Sequence, residues 1–146
     1  MSYVGNIIAA VGAYKVGKYN KELYDRQAAL NREKAAERKR VYERIEKPRL
    51  LKAQKSQYSD FFVNLLRSGA EFRLGTSTFY AAQAFKVEQA TDLAIADYNQ
   101  STEQIDMENQ SLLLEARGDQ AYMQGLLTAA SEGAKAKSNY DKSQQA

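Results

Sequence analysis

Carboxylates recur in close pairs in the second half of the chain, Glu103 with Asp106 and Asp106 with Glu108. Paired carboxylates are what a divalent cation or an acid–base reaction needs. On the polar side of a helix, however, such pairs are ordinary solvation, and nothing in the chain completes a site around them. Cysteine, histidine and tryptophan are absent, which removes the thiolate nucleophile, the neutral-pH base and the commonest metal ligand together. There is no Gly-rich phosphate loop, Walker sequence or nucleophile elbow. The expectation is a protein that is not an enzyme, with no catalytic residues, metal ligands or cofactors.

Two other constellations have more to offer. The run Arg32, Lys34, Arg38, Lys39, Arg40 and Arg44 crowds positive charge into a few turns, a patch for phosphates or lipid headgroups that acts through charge alone and weakens with salt. Interleaved Glu33, Glu37 and Glu43 argue for the plainer alternative, a solvated helix face. Charge is divided unevenly. Residues 1–55 carry fourteen Lys/Arg against six Asp/Glu, whereas residues 56–146 carry seven against twelve, in a chain of net charge +3. The basic half either meets an anionic surface or pairs with the acidic half across a hairpin.

The second constellation is a stripe of small residues. Gly5, Ala9, Ala13 and Gly17 recur every four positions near the start, and Ala121, Gly125, Ala129 and Gly133 do the same near the end. Small residues at that spacing let helix backbones approach closely, as in lipid, where packing replaces hydrophobic drive. Tight packing of two helices in a soluble bundle uses the same pattern. Tyr3, Tyr14, Tyr19 and Tyr122 flank these segments, a habit of membrane interfaces and of protein interfaces alike.

The elements that must carry these residues are helices. The only proline is Pro48, and Ala, Glu, Lys, Arg and Gln, all strong helix formers, dominate the first half. A helix is predicted from about residue 7 to Lys47, with oppositely charged pairs at helical spacing such as Glu22 with Arg26 and Glu43 with Lys47. Pro48 should kink or end it. The pattern then resumes. Tyr58, Phe61, Phe62, Leu65 and Leu66 form the clearest amphipathic face in the chain and a candidate oligomer face, extended past Gly69 by Phe72. The segment 75–78, GTST, pairs a helix-ending glycine with residues able to cap the next helix.

The predicted fold is therefore all-α, an elongated hairpin of two long helices with the first arm kinked near Pro48, assembling into a higher oligomer. One helical domain spans 1–134, with a first arm 1–74, a turn 75–78 and a second arm 79–134, followed by a polar flexible tail 135–146. Neither arm shows a clean apolar heptad, which disfavours a self-contained two-stranded coiled coil. No run of 18 to 20 apolar residues offers a transmembrane helix, and the apolar opening lacks the basic start of a secretory signal and so is expected to be retained.

The Gly/Ala-rich start GNIIAAVGAYKVGKY, the long Ala/Gln/Arg/Lys/Glu helix and the late small-residue segment GLLTAASEGAKA together resemble the small internal virion proteins, or core and ejection proteins, of short-tailed bacteriophages. The resemblance covers most of the chain but is compositional. It implies a homo-oligomer inside the capsid near the portal, in contact with the portal and other core proteins. The protein would then leave with the genome and form part of a channel across the host outer membrane, meeting membrane lipid and making weak, non-specific contact with DNA. The segments 3–17 and 118–134 would be the embedded or ring-forming parts. Alternatives of other classes are a soluble coiled-coil scaffold or adaptor that never touches lipid, and a basic helical protein that binds nucleic acid through residues 32–55.

Overall fold

The computed structural model describes residues 3–145. Met1 and Ser2, at the edge of the expected domain, and Ala146, at the end of the expected tail, lie outside the described residues. The described residues form helices and no strand: α1 (Tyr3–Val41), a π turn (Tyr42–Glu46), α2 (Lys47–Arg67) and α3 (Ser77–Gln145). Two helical arms make a hairpin, as the scarcity of proline and the helix-forming composition predicted.

The irregularity expected at Pro48 takes the form of the π turn just before it. Proline has no N–H to give, and its ring crowds the carbonyl four residues back. The chain answers by widening one turn, so that the N–H of Lys47 bonds the carbonyl of Tyr42 five residues earlier, and Pro48 falls in the first turn of α2, where no donor is needed. The widened turn inserts one residue into the helix. Half-buried or buried positions run Ala35, Val41, Tyr42, Lys47, Leu50, Gln54 and Tyr58. The step of five from Tyr42 to Lys47, in place of three or four, spans the widened turn, and the contact face of α2 is rephased accordingly.

The reversal is longer than the predicted four residues and begins earlier. α2 stops at Arg67, so Phe72 lies in the connection and does not extend the helical face. Ser68 caps the end by donating from its hydroxyl to the Leu65 carbonyl at 2.6 Å, and Gly69 follows with φ +79°, a left-handed position that glycine takes without a Cβ penalty. Gly75 repeats this at φ +86°. Thr76 then caps α3: its hydroxyl accepts from the Phe79 N–H at 3.3 Å and donates to the Arg73 carbonyl at 2.6 Å.

Contacts divide the chain into two compact units, the described part of Met1–Lys34 with Met107–Ala146, and Ala35–Asp106. In both, the buried apolar side chains are alanines, and the buried polar ones include Asn6 in the first unit and Gln54 and Thr78 in the second. The buried apolar residues are Ala28 and Ala136 in the first unit and Ala35 and Ala82 in the second, and the largest fully buried side chain is Ser111. Bulky apolar residues lie outside, with Ile8 67% exposed and Leu127 66% exposed in the first unit.

The stretch 135–145, expected as a flexible tail, continues α3. Its Ala and Lys residues favour helix, Ala136 is buried against α1, and Tyr140 meets Tyr3 edge to face at 5.5 Å between ring centres.

Candidate functional site

In the first unit, the two small-residue stripes meet only in their middle. A Cβ placed on Gly125 would lie 2.8 Å from the Gly17 Cα and 2.9 Å from the Ala13 carbonyl oxygen, and one on Gly17 would lie 2.9 Å from the Gly125 Cα and 3.1 Å from the Ala121 carbonyl oxygen. Here backbone touches backbone. Ala9 is exposed and Ala129 half-buried, while a Cβ on Gly5 or on Gly133 would meet nothing within 4 Å. The reason is geometric. A row of every fourth residue turns by about 40° per step around a helix of 3.6 residues per turn, so it drifts off a contact line within a few turns.

The contact line follows a seven-residue step instead. Ser111, Gly118 and Gly125 are all buried, and a Cβ on Gly118 would sit 3.2 Å from the Tyr24 Cβ. Polar groups lock this line in register. The Asn31 amide donates to the Met107 carbonyl at 2.8 Å and to the Ser111 hydroxyl at 3.0 Å, and Ser111 donates to Met107 at 2.9 Å. Tyr14 and Tyr122 pair edge to face at 6.1 Å. Tyr19 stays 64% exposed.

Charges in this unit pair across the arms. Lys21 reaches Asp119 at 2.8 Å, Arg32 reaches Glu108 at 3.0 Å, and Arg32 also pairs with Glu115. The Asp119 carboxylate, followed by Asp25, raises the pKa of Lys21, and the Arg32 guanidinium holds Glu115 below the usual carboxylate range. Lys34, the other patch residue of this unit, makes no ion pair among the described residues. The expected Glu22–Arg26 pairing is not among the ion pairs; Lys21 and Asp25 supply the pair four residues apart, at 3.1 Å.

The second unit holds the rest of the basic run. Arg38 pairs with Glu103, Arg40 with Glu37 at 3.2 Å, and Lys47 with Asp97 at 3.1 Å, in place of the expected Glu43. Lys39 and Arg44 have no ion pair among the described residues. Asp97 also accepts from the Tyr42 hydroxyl at 2.6 Å. That bond, then the one from Lys47, lowers the Asp97 pKa, and the same Asp97 pushes Tyr42 up to about 12. The plainer reading of the charge asymmetry, basic arm against acidic arm, describes these pairs.

The aromatic face expected to bind other copies is largely turned inward within the second unit. Phe61 stacks on Phe85 with ring centres 4.5 Å apart, Phe62 meets Phe72 edge to face at 5.0 Å, and Tyr58 lies 6.2 Å from both Phe62 and Phe85. Lys86 sits over the Tyr58 ring at 4.7 Å. Leu65 is half-buried, and Leu66, at 47% exposure, is the residue of the five left outside.

Sequence reasoning missed the amides of this unit. Gln54 is buried and exchanges two bonds with Gln89, each side-chain amide donating to the other's backbone carbonyl at 2.8 and 2.6 Å, and Gln104 donates to the Ala35 carbonyl at 3.0 Å. For Gln104 the signal was present in the row Asp97, Gln104, Ser111, Gly118, Gly125, a strict heptad of small or polar residues. A search for apolar heptads passes over it.

Glu103 and Glu108, from the carboxylate pairs, are held by arginines, and no group of three metal-ligating side chains occurs among the described residues. No described helix is long and apolar enough to cross a membrane. What the first unit does present is an apolar groove of about 450 Å³ lined by Tyr3, Ile7, Ala10 and Val11 of α1 and Gly133, Ala136, Lys137 and Tyr140 of α3. Comparison of the chain with protein-family models, with curated proteins and with solved structures finds no match.

Proposed function

We propose that this chain is a non-enzymatic assembly protein of the kind carried inside short-tailed bacteriophages. It packs as a homo-oligomer near the portal with other core proteins, leaves with the genome and forms part of a channel across the host outer membrane. One observation carries the reading: apart from Asn6, the first unit buries only alanine, glycine and serine, and it leaves Ile8, Val16 and Leu127 outside, at 67%, 59% and 66% exposure. Bulky apolar groups on the outside of a water-borne helix pair call for a further partner, protein in the particle and lipid after release. The absence of a committed spanning helix among the described residues is compatible with storage in water.

A soluble scaffold that never meets lipid is favoured by a different observation. Gly17 and Gly125 already fill each other's contact within one chain, so these small residues are not left over for packing in a bilayer. Nucleic-acid binding through residues 32–55 gains less support, because Arg32, Arg38, Arg40 and Lys47 are engaged by carboxylates; any DNA contact falls to Lys34, Lys39, Arg44, Arg49, Lys52 and Lys55 and is weak and non-specific. The deciding experiment is release of dyes of graded size from vesicles of bacterial lipid by the purified chain. Size-limited release supports the channel, and an oligomer in water with no release of any dye leaves the scaffold as the better account.

A further inference from the structure

We propose that the groove side of the first unit is a docking surface for an anionic phospholipid bilayer, with an acyl chain entering the groove and headgroup phosphates held by Lys15, Lys18 and Lys137. This rests on the membrane reading above and names the lipid class and the place.

The groove is apolar apart from Lys137. Its volume of about 450 Å³ falls within the roughly 300 to 1,000 Å³ of sites that hold small apolar ligands. Its floor is open, since a Cβ on Gly133 would meet nothing within 4 Å. Tyrosine pairs stand along this stretch of the hairpin, Tyr3 with Tyr140 and, about three turns on along α1 and five along α3, Tyr14 with Tyr122, and tyrosine favours the level of the headgroups.

Charge selects the occupant. Ile7, Val11, Lys15 and Lys18 follow one another at i, i+4, i+8 and i+11 and so share a face of α1. Residues 3–21 contain no Asp or Glu. Segments 3–20 and 121–145 together carry five lysines against Glu132 and Asp141, a net of +3, whereas segments 21–34 and 107–120 of the same unit carry five Lys/Arg against six Asp/Glu, a net of −1. Glu132 is paired to Lys135 at 2.7 Å, and Lys15, Lys18 and Lys137 are in no ion pair among the described residues. A second copy laid on this face would set lysine against lysine. An anionic bilayer offers what the face lacks, with the lysine stems lying along the apolar surface and their ammonium groups at the phosphates.

The test is flotation of the full chain with vesicles of phosphatidylcholine alone and with about one third phosphatidylglycerol, helicity being checked by circular dichroism. The chain is expected to bind the anionic vesicles at least about tenfold more tightly. The double change Lys15→Gln with Lys18→Gln should cost about thirtyfold, from about 1 kcal/mol per lysine at an anionic surface. Gly133→Leu, which fills the groove without touching the contact line, should weaken binding several-fold, and Lys34→Gln should do least. Equal binding to neutral vesicles that ignores the lysine changes overturns the anionic docking surface and leaves the membrane reading standing. Binding to neither lipid overturns both. Undiminished binding by Gly133→Leu removes the groove as the seat, and a lipid-free dimer that Gly133→Leu abolishes assigns the face to a second copy instead.

Discussion

Gly125 offers the sharpest check of how the hairpin is held. In Gly125→Ala the new Cβ would start 2.8 Å from the Gly17 Cα, whereas ordinary contact begins at 3.4 Å, so about 0.6 Å of separation must be found. The atoms in the way are backbone, with no flexible side chain to swing aside. The two helices must therefore part locally, and crowding of this kind costs about 1 to 3 kcal/mol. Alanine returns about 1 kcal/mol through its higher helix propensity. The net is roughly neutral to 2 kcal/mol destabilising. Gly12→Ala is the control, because its Cβ meets nothing within 4 Å, and only the propensity gain of about 1 kcal/mol remains. Urea unfolding followed at 222 nm should separate the two variants by about 1 to 3 kcal/mol, with Gly12→Ala the more stable. In the double variant Gly17→Ala with Gly125→Ala the costs should not add, since parting the helices for one methyl makes room for the other. If Gly125→Ala stabilises as much as Gly12→Ala, the close backbone contact is wrong.

The second unit supplies the remaining outcomes. The folded-state pKa of Tyr42 is raised to about 12 by the bond to Asp97, above the ordinary tyrosine value of about 10. Its contribution to stability is therefore fully present below pH ~10 and lost as pH rises toward ~12. Absorbance titration of Tyr42→Phe should lose a late-ionising tyrosine that the unaltered chain shows, while Tyr122, raised by its bond with Tyr14, stays. Asp97 has the opposite sign: its lowered value stabilises the fold above the normal carboxylate range and stops doing so as pH falls through it, and Tyr42→Phe should move that acid limb upward. Phe62→Asp should destabilise the chain itself by about 2 kcal/mol or more, because it places a charge among Phe72 and Tyr58. Leu66→Asp should leave unfolding unchanged, and light scattering of that variant reads whether the exposed part of the face joins copies together.

Much of the architecture was legible because it depends on local properties: one proline, strong helix formers and a GTST cap. The same cap misled in one respect. Gly75 marks the end of the connection, and its beginning lies at Gly69, which falls inside an aromatic run that looks helical by spacing. The inward turn of Phe61 and Phe62 was also hidden, since amphipathicity says that a face is covered but not by what, and Phe85 on α3 covers it. The small-residue stripes were recognised, yet at a four-residue step, and the structure keeps them in contact only where that step coincides with the heptad of Ser111, Gly118 and Gly125. The π turn has no composition of its own. Only the step of five from Tyr42 to Lys47 in the half-buried positions reveals it, and burial is not written in the sequence.

The small-residue interior of the first unit also separates two processes that most small proteins merge. Apolar side chains that fold a domain are usually unavailable for anything else, so a chain that must later cover more apolar surface has to unfold in part. Here Ile8, Leu30 and Leu127, each at least half exposed, take little part in holding their own helices together. Covering them, by protein or by lipid, adds burial without removing any from the interior. The heat-capacity change of association should then be large beside that of unfolding the isolated chain, the reverse of a globular domain that binds a partner through a small patch.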